Sequence, residues 1–162
     1  MIRFEGFERG AVAPQVVRTI ARTMRPADRA EIRAAAGLDG LAGLRASVAV
    51  TRWGWVGYVD GRPALICGLA VSDGGETGDV FGIPWMIATP LADWHAAKLL
   101  RRSRSVVAAM RVLSPRLRNY VDARNRAAVR WLIWLGFDVL PAKPYGVAGL
   151  PFHPFRIDPG HV

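Results

Sequence analysis

Cysteine occurs once in the 162 residues, at Cys67, so no internal disulfide can form. Histidine occurs only at His95, His153 and His161, which leaves too few ligands of the usual kind for a zinc cluster. No apolar run approaches the roughly 18 to 20 residues that cross a bilayer, and the opening MIRFEGFERG lacks the apolar stretch of a secretory signal. These absences lead to the expectation of a soluble protein with no membrane span, resident in a cytoplasm. There is no internal repeat, low-complexity tract or linker, and the length suits one compact domain over residues 1–162.

Lysine is nearly missing as well. Lys98 and Lys143 are the only two among 22 basic residues, which leaves 20 arginines against 13 acidic residues and a net charge of +9. A sequence pI near 11.1 calls for an anionic partner, although a GC-rich genome produces the same arginine skew. Nine arginines fall between Arg101 and Arg130. What is abundant is apolar side chain, 51% of the total, enough to bury a core that offsets the entropy of ordering.

The apolar pattern predicts the elements. Met1 to Phe7 reads as a short strand, and Val16, Val17, Ile20 and Met24 recur at the spacing of an amphipathic helix that Pro26 ends or bends. Asp28 and Glu31, three apart, form a capping-box-like start for a second helix stopping at Gly37. Gly37 to Ser47 reads as a turn and another short helix. Trp53 to Val59 and Pro63 to Val71 flank Asp60-Gly61, a hairpin turn, and Ile83 to Thr89 follows as a central strand that Pro90 terminates. Leu99 to Leu113 reads as a helix closed by Ser114-Pro115. Leu117 to Val121 is then a strand, Arg124 to Leu135 a helix ending at Gly136, and Phe137 to Leu140 and Phe152 to Ile157 are extended. Antiparallel strands first and a β-α-β crossover later favour an α/β (α+β) mixed, mostly antiparallel central sheet with helices on both faces.

Two resemblances add to this. LRNYVDARNRAAVRWLIWLGF, residues 117 to 137, resembles the second half of the GNAT acyltransferase fold, in which an Asn ends the fifth strand, an Ala follows three residues on, and Gly-Phe opens the sixth strand. Here those positions are Asn125, Ala128, Gly136 and Phe137. More closely, MRPADRAEI, DGRPALICG, GIPWMIAT, LLRRSR, LRNYVDARN with RWLIWLGF, and YGVAGLPFHPF resemble a family of small tailed-phage proteins typified by the internal virion protein A group, which is placed in the GNAT superfamily. The second resemblance implies a phage or prophage origin, phage structural proteins as partners, and a location in the host cytoplasm or the virion.

The GNAT resemblance implies acetyl-CoA or CoA as cofactor, its pantetheine arm entering between the fourth and fifth strands, and it places the arginines from Arg101 to Arg130 around that cleft, which makes a phosphate-bearing small ligand a sharper partner than nucleic acid. Ala88 and Thr89 at the end of the fourth strand, and Asn125, are the implied contacts. The glycine-rich pyrophosphate turn of that fold has no counterpart, since no glycine lies between Gly82 and Gly136. Ala96-Ala97-Lys98 and Arg101-Arg102-Ser103 are alternative substitutes, the first for small size and the second, with Arg104, for positive charge. Leu132 replaces the Tyr that protonates the leaving thiolate in many such enzymes, which leaves Tyr120 and Tyr145 as candidate phenols. His95, Asp93, Glu76 and Asp122 are candidate bases. The tryptophans are expected in the core or covering the sheet, and Cys67 as a small buried residue. The expected activity is acetyl-CoA-dependent N-acyl transfer by a phage protein associated with the virion. The alternative is a catalytically inactive GNAT-fold protein acting in particle assembly or ejection.

Overall fold

The computed structural model describes residues 1–160, so that His161 lies outside the described residues. Eight strands and six α-helices alternate as β1 (Ile2–Glu8), α1 (Pro14–Thr23), α2 (Pro26–Ala36), α3 (Gly40–Val50), β2 (Trp53–Val59), β3 (Arg62–Val71), β4 (Gly82–Ala88), α4 (Pro90–Trp94), α5 (Ala96–Leu113), β5 (Leu117–Asp122), α6 (Arg126–Trp134), β6 (Asp138–Val139), β7 (Lys143–Tyr145) and β8 (Leu150–Ile157). The strands form one sheet in the order β1-β2-β3-β4-β5-β8-β6, with β7 also on β8, and only the β4–β5 pair is parallel. The mixed, mostly antiparallel sheet expected from the sequence is therefore present.

Alternation along the strands sends side chains to two cores. Val56, Ile66 and Ile87 pack on one face with Val17, Ile20 and Met24 of α1 and Leu44 and Val48 of α3. Leu65, Cys67 and Ala88 pack on the other with Leu99 of α5, and farther along that face Leu117 and Val121 meet Met110 of α5 and Leu132 of α6. The Asp60-Gly61 turn has positive φ at both residues, 47° and 77°, the combination a tight two-residue hairpin requires. Gly37 and Gly136 end α2 and precede β6 with φ of 71° and 93°, as their places in the sequence suggested.

Two expectations are corrected and one is extended. Asp28 does not cap a helix: Pro26 occupies the first helical position, Arg25 stands at the N-cap and makes no side-chain capping bond, and Asp28 lies inside the first turn with its carboxylate elsewhere engaged. Pro90 does more than stop a strand, since it opens the short helix α4 in the same way. Trp94 and Trp134, assigned to the core or sheet surface, are 78% and 42% exposed.

Candidate functional site

A hydrogen-bond account of β4 locates the site. Thr89 and Phe81 bond to β3-side partners, Ala64 and Ser72, so by alternation Gly82, Pro84, Met86 and Ala88 turn their backbone groups towards β5. The Gly82 N–H donates to the Arg116 carbonyl at 2.8 Å, and the parallel ladder pairs Gly82 with Leu117. The next rung needs an N–H at position 84, and proline has none. The two strands part there. The carboxamide of Asn119 fills the first step of the opening, Nδ2 donating to the Pro84 carbonyl at 2.8 Å and Oδ1 accepting from the Tyr120 N–H at 2.8 Å. At the far end α2 takes over: the Ala88 carbonyl accepts from the Arg25 N–H at 2.9 Å, and the Ala88 N–H donates to Asp28 Oδ2 at 2.9 Å. Between these braces the Met86 N–H and C=O face the opening.

The closed end is held by charge. Asp79, in the loop before β4, accepts from Arg116, just before β5, at 2.7 Å and from Arg118 on β5 at 2.6 Å. A cavity of about 280 Å³ runs through the open part of the sheet, from Glu31 and Ile32 of α2 on one face, past Met86 and Tyr120, to Val106 of α5 and Trp131 of α6 on the other. A second cavity of about 410 Å³ shares Arg25, Met86, Ser103 and Trp131 and continues between α5 and α6, where Ala92, Ala96, Ala127 and Ala128 leave room and Arg130 and Trp134 stand on its wall. The buried indole N–H of Trp131, in the wall of both, has no hydrogen-bond partner among the described residues.

Three carboxylates gather at the α2 end. Asp28 is paired with Arg25 at 3.0 Å, and Arg25 also reaches Asp93 at 3.1 Å. Asp122 is gripped by Arg124, with Nη2 at 2.6 Å from Oδ2 and Nε at 3.0 Å from Oδ1. Burial alone would raise the Asp122 carboxyl, but the Arg124 guanidinium and N–H hold it below the ordinary range. Glu31 differs. Burial, together with the Asp28 and Asp122 charges, pushes it up to about 7, against the lowering effect of the Asp122 N–H, 3.3 Å from Oε2, and of Asn125. Tyr120 and Tyr145 stack at 3.9 Å in the cavity wall, and burial followed by the proximity of Tyr120 raises the Tyr145 phenol, so it stays protonated at neutral pH.

The sequence-derived residues fall as follows. Ala88 lies on the second cavity, with its backbone groups engaged by α2, and Thr89 is buried, its hydroxyl donating to the Ala64 carbonyl at 3.1 Å. Asn125 lines the first cavity and caps α6, accepting from the Ala128 N–H at 3.3 Å. α5 begins at Ala96, so Ala96-Ala97-Lys98 make its first turn and Arg101-Arg102-Ser103 its second. Arg101 and Arg102 are exposed, Ser103 lines both cavities while donating to the Leu99 carbonyl at 2.8 Å, and Arg104 lies 3.9 Å over the Trp134 ring. Of the candidate bases, Asp93 is tied to Arg25, Asp122 to Arg124, Glu76 sits in the exposed loop at the closed end, and His95 joins α4 to α5. Sequence reasoning assigns Glu31 only to a helix start and does not single out Met86. The signal for the second was the proline two residues before it in GIPWMIAT.

No protein-family model and no curated protein sequence matches the chain. Solved structures do. An aminoglycoside N(6')-acetyltransferase from Legionella pneumophila superposes with a TM-score of 0.66 at 11% identity, over 96% of this chain and 91% of that one. AAC(6')-Ib in complex with ribostamycin and coenzyme A gives 0.66 at 11%, over 98% and 93%. A GNAT-family acetyltransferase from Streptococcus pneumoniae gives 0.62 at 14%, over 96% and 98%. At such identities the likeness is one of fold, and the fold is that of GNAT acetyltransferases.

Proposed function

We propose that the protein is an N-acyltransferase that takes its acyl group from acetyl-CoA or a related CoA thioester. The observation that carries this is the break in the sheet at Pro84, which leaves the Met86 N–H and C=O facing a cavity that passes from one face of the sheet to the other. Fold neighbours that hold coenzyme A support the choice of donor. The unpartnered Trp131 indole N–H and the roomy, alanine-lined space between α5 and α6 fit an elongated arm with polar amide groups. Met86 and Trp131 would hold that arm, with Ala88 and Asn125 beside it. Arg130, Arg101, Arg102 and Arg104 would meet phosphate near the outer end in place of a glycine-rich turn. Bound there, the thioester supplies an activated acyl carbon. The chain's own part is to donate a hydrogen bond from the Met86 N–H into the opening, to exclude water with the apolar wall, and to keep a protonated phenol at Tyr145 available to a departing anion.

The experiment is to incubate the purified protein with acetyl-CoA and a panel of primary amines and follow free thiol. Amine-dependent thiol release with a matching acetamide in the mass spectrum is expected; intact acetyl-CoA across the panel contradicts the proposal.

The phage-like segments support a second part of the proposal, that the protein is a phage or prophage product carried in the host cytoplasm and in the particle. A specific observation favours the non-catalytic variant of that role: the Ala88 backbone groups, which face the opening, are already bonded by Arg25 and Asp28. Mass spectrometry of purified particles tests the association, and a protein found in particles but inert towards acetyl-CoA would establish the non-catalytic variant.

A further inference from the structure

Of the three carboxylates at the α2 end of the cavity, two are ion-paired to an arginine each and the third is in no ion pair among the described residues. Asp28 is held by Arg25 and Asp122 by Arg124, which spends Nε and Nη2 on both Asp122 oxygens. Glu31 takes part in no ion pair among the described residues, although polar and charged groups stand near it: Asp28 on its own helix, and Asp122, Arg124 and Asn125 at the β5–α6 junction. A part-buried carboxylate with no ion-pair partner, reached only through space by an Arg124 guanidinium already committed to Asp122, is an unmet demand for positive charge. The group is not a metal site, since no cluster of three or more ligating side chains is disposed to hold an ion among the described residues. The same cavity wall carries the Trp131 N–H, a buried polar atom with no hydrogen-bond partner among the described residues.

The space beside Glu31 restricts what can supply that charge. Ile32, Ala35, Tyr145 and Phe152 wall it with apolar and aromatic surface. The loop after β7 forms a strap tied to the end of α2, with the Val147 and Ala148 N–H groups each donating at 3.1 Å to the Ala35 and Ala34 carbonyls. A long or many-charged cation has no route for its remaining charges through such a wall.

Resting on the acyltransferase proposal above, we infer that the acyl acceptor is a monoamine with a compact apolar body, bound as its ammonium ion by Glu31, which then takes one proton from the nitrogen. The transfer is balanced within the pair: one N–H proton passes to a Glu31 carboxylate oxygen, the carboxylate becomes a neutral acid, and the nitrogen keeps the lone pair it needs as a nucleophile. A base that titrates near neutral pH is suited to this, because it is both largely ionised and able to hold the proton.

Calorimetric titration of the wild-type protein without any CoA, using benzylamine and benzyl alcohol as probes, tests the inference apart from the thioester chemistry. At pH 8 the amine is expected to bind at least about tenfold more tightly than the alcohol, and at pH 6 that advantage is expected to shrink several-fold as Glu31 is protonated. Glu31→Gln is expected to bind both probes about equally while retaining a cooperative melting transition. Equal binding of the probes by wild type at pH 8, a preference unaffected by pH, a preference retained in Glu31→Gln, or no binding of either probe overturns the inference. The pH comparison on wild type stands even where the variant fails to fold. A separate titration with acetyl-CoA reports on the donor side: its failure with amine selectivity intact would count against the acyltransferase proposal and leave the Glu31 site in place.

Discussion

The carboxamide of Asn119 stands across the opening between two strands, donating to the Pro84 carbonyl at 2.8 Å and accepting from the Tyr120 N–H at 2.8 Å. It replaces with a side chain the ladder that Pro84 cannot continue. Asn119→Ala leaves one carbonyl and one N–H without their partners, at a cost of about 2 kcal/mol. For a chain of this length that lowers the melting temperature by roughly 4 to 8 °C, which differential scanning calorimetry reads directly. An unchanged melting temperature would show that the brace is dispensable.

Glu31 makes stability depend on pH in an unusual direction. Its folded-state pKa, pushed up by burial to about 7 from an ordinary 4.5, means that the native protein holds a proton the unfolded chain has lost. Its contribution is therefore fully present below the unfolded value and is lost as pH rises through the interval to about 7. Glu31→Gln keeps an oxygen for the Asp122 N–H but removes the charge, so it is expected to stabilise the protein at pH 8 by about 2 kcal/mol and to have little effect at pH 4.5. Urea midpoints at the two pH values measure the difference, and a variant equally destabilised at both contradicts it.

Gly146 packs its backbone on α2 with φ of 71°, and a Cβ there would stand 2.6 Å from the Ala35 Cα. Neither atom belongs to a flexible side chain, so Gly146→Ala must lift the strap from α2. The expected loss is about 2 kcal/mol, with faster amide exchange at Val147 and Ala148. Unaltered exchange at those two amides would mean that the strap does not depend on the contact.

Burial pushes the Cys67 thiol up to about 12 from an ordinary 9. At pH 8 its thiolate fraction is then roughly a thousandfold below that of a free thiol, so a disulfide reagent is expected to label it only on unfolding. Rapid labelling of the native protein would place the sulfur in a different environment.

The order of elements was legible because it is written in local chemistry: Asp60-Gly61 for the hairpin, Gly37 and Gly136 for two helix ends, Asn125 for the cap of α6. The site was legible only in part. Asp28 and Glu31 have the spacing of a capping box, but the same spacing places two carboxylates on one helical face, and only the packing of α2 against Ala88 and Asp122 decides between them. Trp134 carries the same apolar signal as a core tryptophan, yet it ends exposed beneath Arg104 because α6 turns Leu132 and Ala128 inward instead. Pro84 was visible throughout, and a proline inside a central strand is itself a statement that a ladder stops.

The parted strands as a seat for a CoA thioester are checked by calorimetric titration of the wild-type protein with coenzyme A and acetyl-CoA. The structure predicts one site per chain with a dissociation constant well below about 1 mM, weakened by added salt because arginines meet the phosphates. No heat of binding at millimolar coenzyme A would contradict it.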